Sequence, residues 1–194
     1  MNIREYMDVS FPLTGGLLKG EKLQELIRVL THNKTFAQTR IPFCCVAVDA
    51  NYGKLDVLDH GMLHEAVRAS MSIPAIFEPM PFQGKTYIDG GVLERVPCKC
   101  LRERGADVVI GVDVGYHGDP EDVTGMNAYQ LMNRMISIMT WEMTKLRREE
   151  ADLMLVPEVL FVKGRFQNDQ AGDCVEEGRR VVRENLARIK ELIN

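Results

Sequence analysis

Three apolar runs constrain this chain more than anything else in it: IPFCCVAVDA (Ile41 to Ala50), DVVIGVDVG (Asp107 to Gly115) and ADLMLVPEV (Ala151 to Val159). They are too short to cross a bilayer, which takes about 20 apolar residues in a helix. They also lack the apolar-polar alternation of a strand with one wet face. Each therefore predicts a strand buried on both sides.

The segments between them read differently. MLHEAVRAS, Met62 to Ser70, has helical spacing and is stopped by Pro74. Ala128, Met132, Met135, Met139, Met143 and Leu146 recur three or four residues apart, which predicts a long helix over 127–149 whose methionines are expected in the core, the alternative being a surface that adapts to acyl chains. A last helix from about Asp173 carries Val175, Val182, Leu186, Ile189 and Ile193 on one face. KLDVLDHG, after the turn Asn51-Tyr52-Gly53, reads as a hairpin partner of the first strand, and two short strands flank Gln83-Gly84. Pro97 opens a helix running to about Arg104. Buried strands alternating with helices need cover on both faces, so the expected fold is α/β, a three-layer α/β/α sandwich forming one domain over 1–194. The polar stretch YHGDPEDVTG, Tyr116 to Gly125, is the long loop.

Composition excludes several functions. With 45% hydrophobic and 27% charged residues the chain buries a substantial core, and a net charge of -4 without long runs of one sign offers nucleic acid no basic footprint. MNIREYMDVSFP lacks the basic and apolar regions of a secretory leader, and there is no transmembrane segment, so a cytoplasmic protein is expected, at most peripheral to a membrane. Five cysteines, an odd number, predict reduced thiols. The C-x-C of Cys98 and Cys100 lacks metal-ligand spacing, and none of His32, His60, His64 and His117 forms an H-x-x-x-H on an uninterrupted helix with a carboxylate between, since His60 and His64, which come closest, have Gly61 where the helix would begin; no metal and no cofactor are expected. TGGLLKG, Thr14 to Gly20, has glycine and lysine in the wrong order for a phosphate loop.

Chemistry is best sought in YIDGGVLERVP, Tyr87 to Pro97. Asp89 ends an apolar run, where α/β proteins place reactive groups. Gly90 and Gly91 would let the chain turn with positive φ and leave the carboxylate uncrowded. Local sequence leaves two roles open for Asp89, a turn or helix cap and a catalytic acid.

The wider pattern resembles the patatin-like phospholipase family, serine acyl hydrolases with a Ser-Asp dyad. The matching blocks are A-S-x-S-I-P-x-x-F-x-P at Ala69 to Pro79, D-G-G at Asp89 to Gly91 with Pro97 closing the segment, and G-A-D at Gly105 to Asp107. GGLLKGEKL and IPFCCVAVDA extend the likeness upstream, and ADLMLVPEV extends it downstream. Glu94 and Arg95 depart from it, since relatives often carry Asn before the proline.

The resemblance implies that Asp89 takes the proton of a serine attacking an ester carbonyl, with no histidine between them. The G-x-S-x-G elbow that presents this serine, and the oxyanion loop before it, are not among the residues of this chain. Ser10, Ser70, Ser72 and Ser137 all lack flanking glycines. The expectation is thus a patatin-like domain without its N-terminal strands, supplying the acid but inactive alone and prone to self-association through uncovered strands. Ser72, Pro74, Phe77 and Phe82 are candidate cleft-wall residues, the two aromatics forming an apolar lip with Pro79 and Met80. The implied substrate is a phospholipid, lysophospholipid or other lipid ester. A non-catalytic binding or assembly module is the alternative, and a nucleotide-binding domain lacks its glycine fingerprint.

Overall fold

The computed structural model describes residues 8–10, 15–159 and 171–194. The first seven residues and Thr14 of the TGGLLKG stretch lie outside them. The chain is α/β, with parallel and antiparallel strands, and it groups into two compact units, residues 1–94 and 95–194.

In the first unit β1 (Gly16–Leu18) leads to α1 (Glu21–Leu30), followed by the hairpin of β2 (Cys45–Asp49) and β3 (Lys54–Leu58). Then come α2 (Leu63–Ser70), β4 (Ala75–Phe77), β5 (Met80–Phe82) and β6 (Lys85–Asp89). β3, β2, β6 and β5 form one antiparallel sheet in that order, while β1 pairs in parallel with β4. Val46, Ala47, Val48 and Asp49 are all buried, so β2 is covered on both faces as its sequence predicts. Gln83 and Gly84 both have positive φ, 48° and 77°, the conformation a two-residue hairpin needs to match strand twist.

α2 lies on this sheet through Leu63, Ala66 and Ala69, which join Phe36, Ala47, Leu58, Phe82 and Tyr87 in one core cluster. A second cluster, Leu18, Ile76 and Phe77, holds the β1–β4 pair. Gly16 is required there, because a Cβ would stand 2.3 Å from the carbonyl carbon of Phe77.

The start of α1 explains TGGLLKG. Gly20, at φ 80°, caps the helix without a side chain, and the Asp8 carboxylate accepts instead from the amides of Gly20 (2.9 Å), Glu21 (2.7 Å) and Lys22 (3.3 Å). The helix terminus that would attract a phosphate is satisfied by the protein's own carboxylate.

In the second unit α3 (Cys98–Glu103) starts directly after Pro97, and β7 (Ile110–Val112) pairs in parallel with β8 (Leu153–Leu155). Between these strands runs α4 (Ala128–Leu146), opened by a reciprocal Asn127–Gln130 cap. The expected burial of its methionine stripe is not observed: Met132, Met135 and Met139 are 39%, 53% and 59% exposed. The buried side chains of α4 are Thr140 and Thr144, whose hydroxyls donate to the carbonyls one turn back and so hide without polar partners elsewhere. The last helix begins near the expected place but divides at Asn185 into α5 (Ala171–Glu184) and α6 (Leu186–Ile193).

Candidate functional site

Asp89 ends β6, as its sequence position suggests, but that strand is antiparallel to β2, with Asp89 opposite Ala47. Two main-chain contacts fix it. Its amide donates to the carbonyl of Ser72 at 2.9 Å, and its carboxylate accepts from the amide of Gly91 at 2.6 Å. It therefore caps the single turn Gly90–Val92, so the capping role read from local sequence is present. The residue is half-buried.

The glycines serve for a reason other than the one expected. Neither has positive φ; both lie in the helical turn. Gly90 is required by contact: a Cβ would lie 2.2 Å from the Val46 carbonyl oxygen and 2.6 Å from its carbon. At Gly91 a Cβ would stand 2.9 Å from Asp89 Oδ1. The pair lets the turn press against β2 while leaving the carboxylate uncrowded. Sequence alone shows the glycine but not whether a dihedral or a neighbour demands it.

The serines near the acid are engaged. Ser70 Oγ donates to the Val46 carbonyl at 2.8 Å, beside the place where Gly90 comes closest. Ser72 is fully buried; its hydroxyl donates to the Arg68 carbonyl at 2.9 Å and accepts from Arg68 Nη1 at 2.7 Å. Ser137 donates back to Asn133 on α4. Ser10 is bonded to Glu78.

Ser72 and Pro74 belong to the tight turn between α2 and β4, where Ala75 takes a φ of 64°. Phe77 and Phe82 are 6% and 8% exposed and belong to different core clusters, so the apolar lip expected of them is absent. Aromatic residues beside a turn gave no sign of which side they would face. Pro79 and Met80 are half-buried.

Sequence reasoning missed Arg68. It is 1% exposed, and its guanidinium donates to the carbonyls of Lys19, Gly20 (3.1 Å) and Glu78 (3.2 Å) as well as to Ser72, while stacking 5.1 Å from the Phe77 ring centre. Burial pulls its pKa down, and the carboxylates of Asp8 and Glu78 oppose that shift. Gly20 is essential to the arrangement, since a Cβ would meet the guanidinium at 2.3 Å. Arg68 thus holds α2, the entrance to α1 and the Ser72 turn together, and the Ser72 carbonyl in turn holds Asp89. The available signal was an arginine placed between Ala66 and Ala69 on the apolar side of a helix.

Nearby acids are also fixed. Burial favours the neutral form of Asp56, but hydrogen bonds from Lys85 and Tyr87 outweigh it and hold the carboxyl below its usual range. Burial pushes the Cys45 thiol up to about 12, against a lowering contact from Ser70.

The second unit contains a cluster of its own at the end of β7. Asp113, 2% exposed, accepts from Arg95 at 2.7 Å and from the Gly115 amide at 3.1 Å, and lies 3.2 Å from His117 Nε2. His117 meets Trp141 edge-on at 5.1 Å. Arg95, the departure noted before Pro97, is thereby accounted for by an acid 18 residues downstream.

Asp89 and its supporting turn fall within a match to the patatin-like phospholipase family model, which covers residues 2–101. The chain belongs to the patatin-like phospholipase family. Similar proteins include an uncharacterized NTE family protein of Mycobacterium tuberculosis, 30% identical over 123 residues, covering 62% of this chain and 34% of the relative. A lysophospholipase of Scheffersomyces stipitis is 27% identical over 124 residues, 64% of this chain and 8% of that protein. Patatin-like phospholipase domain-containing protein 7 of Rattus norvegicus is 28% identical over 124 residues, 63% and 9% respectively. The chain thus spans about a third of the length of the mycobacterial relative and less of the others. Among the described residues of this patatin-like chain, no helix is long and apolar enough to cross a membrane, and no group of three or more His, Cys, Asp or Glu could hold a metal.

Proposed function

We propose that this patatin-like chain serves hydrolysis of lipid carboxylic esters, with Asp89 as the base for a serine nucleophile that the 194 residues do not themselves present. Family membership supports lipid ester hydrolysis as the class of reaction. The observation that carries the residue assignment is the double main-chain hold on Asp89, from the Ser72 carbonyl and the Gly91 amide, inside the blocks that match the family. A base so fixed at a strand end loses little freedom on receiving a proton, which is what positioned general-base catalysis requires. The acyl ester would be a phospholipid or lysophospholipid, and five cysteines outside any disulfide suit a reducing, cytoplasmic setting with access to a membrane surface.

Taken alone, the chain is expected to be inert, because the hydroxyls of Ser10, Ser70, Ser72 and Ser137 are all committed to internal bonds. That same observation favours a second reading, a non-catalytic binding module. Incubation with a fluorophosphonate followed by intact-mass measurement tests the inert state. No adduct is expected; stoichiometric labelling of Ser70 or Ser72 would overturn the assignment.

A further inference from the structure

Helix α5 carries an apolar stripe that its own unit leaves open. Val175 and Val182 are 53% and 44% exposed, while Val181 between their rows is buried. The stripe borders a cavity of about 580 Å³ lined by Val112 of β7, Leu155 of β8, Pro157, and Val175, Gly178 and Val181 of α5. That volume lies within the range of about 300–1,000 Å³ typical of small-molecule sites. The wall is tied together where the amide of Glu158 donates to Glu177 Oε1 at 2.8 Å.

Gly178 is the first sign that the space is for a ligand. Glycine is the least favoured residue of a helix interior apart from proline. Nothing in the fold asks for it here: its φ is not positive, and an added Cβ would meet no atom within 4 Å. Its effect is to keep the middle of the cavity wall empty.

Charge in the lining is the second sign. Arg179 and Arg183 both border the cavity; Arg179 is paired with Glu176, whereas the guanidinium of Arg183 makes no ion pair or hydrogen bond among the described residues. An apolar trough with an unengaged guanidinium in its lining is complementary to an alkyl chain ending in a carboxylate, which a guanidinium grips with two parallel hydrogen bonds.

We propose that the residue 95–194 unit binds a long-chain carboxylate, its alkyl chain against Val112, Leu155, Val175 and Val181 and its head on Arg183. Binding at this site is independent of the reading of Asp89, since it needs neither a nucleophile nor turnover. Each methylene buried should strengthen binding about fourfold, until the trough is filled.

Calorimetric titration of the 194-residue chain with decanoate, hexanoate and decanol, beside anionic phospholipid vesicles, tests this. One decanoate should bind per chain, with hexanoate at least about tenfold weaker. Gly178→Leu should weaken decanoate at least about tenfold by filling the trough, and leucine favours the helix, so the variant should fold. Gly178→Ala should bind nearly as well as the parent, and Arg183→Gln should weaken decanoate but not decanol. Decanoate binding that is unsaturable, or equal in Gly178→Leu, would overturn the proposal. So would binding to vesicles alone, which would make this a membrane-facing surface. A concentration-dependent oligomer that Gly178→Leu dissolves, without decanoate binding, would assign the trough to a second copy instead.

Discussion

The amide of Asp89 donates to the carbonyl of Ser72 at 2.9 Å, and Ser72 is itself locked by its hydroxyl to Arg68. The acid's position is therefore set two residues removed from it, by an arginine buried where α1, α2 and the turn before β4 converge. This makes the candidate site a property of the unit's packing rather than of the D-G-G alone.

Arg68→Met should then be severely destabilising. It removes the guanidinium's hydrogen bonds to the carbonyls of Lys19, Gly20 and Glu78 and leaves Asp8 and Glu78 without their buried counter-charge. Breaking such a buried arrangement from one side typically costs about 3–5 kcal/mol. A urea denaturation midpoint within experimental error of the parent would show that the guanidinium is not the anchor.

Gly90→Ala should cost about 1–3 kcal/mol or more, since the new methyl would press on the main chain of Val46 in β2, a strand paired on both sides by β3 and β6. Gly172→Ala is the matched comparison: it lies in α5 with open space around it, so the change should be neutral or stabilising by a few tenths to about 1 kcal/mol. Equal losses would argue against contact as the reason for Gly90.

Much of this was legible in the sequence, and the failures have physical causes. The continuous apolar run of β2, the Gln83-Gly84 hairpin and the turn chemistry around Pro97 are local signals, and they appear where expected. Asp89 was found through its neighbours in the chain. Arg68 and the Arg95–Asp113 pair were not, because the partners that define them lie far away in sequence: Arg68 is 48 residues from Gly20 and Arg95 is 18 from Asp113. The methionine stripe of α4 failed for a different reason. Helical periodicity reveals an apolar face but not whether anything covers it.

That uncovered face leads to an expectation about association. Leu131, Met132, Met135, Ile138 and Met139 are each at least 39% exposed on one helix, a patch of the kind that marks interfaces. The chain should self-associate through it. Light scattering coupled to size exclusion should show a concentration-dependent mass that Met135→Lys with Met139→Glu reduces to the monomer. A monomer at all concentrations in the parent would refute this.

Cys45 supplies a pH dependence. Its thiol ionises at about 12 in the folded chain against an ordinary value of 9.0, chiefly because burial disfavours the thiolate. The unfolded chain loses the proton first as pH rises, so this contribution to stability is fully present below about pH 9 and is lost between there and about 12. At pH 8 its thiolate population should be about a thousandfold below that of an unperturbed thiol. Iodoacetamide followed by peptide mass spectrometry should find Cys45 protected in the native chain and modified in urea. Equal native and unfolded rates would contradict the shift.

Asp89 is proposed as the base of an ester hydrolase. The most direct test compares Asp89→Asn with the parent in the protein form that carries the nucleophilic serine, reading turnover of a short-chain chromogenic ester alongside the urea midpoint. Asparagine preserves the shape and can still accept from the Gly91 amide, so the fold should be retained, while kcat should fall about 10²–10⁴-fold with the loss of the base. A variant that keeps both its stability and a turnover within a few-fold of the parent would contradict the account.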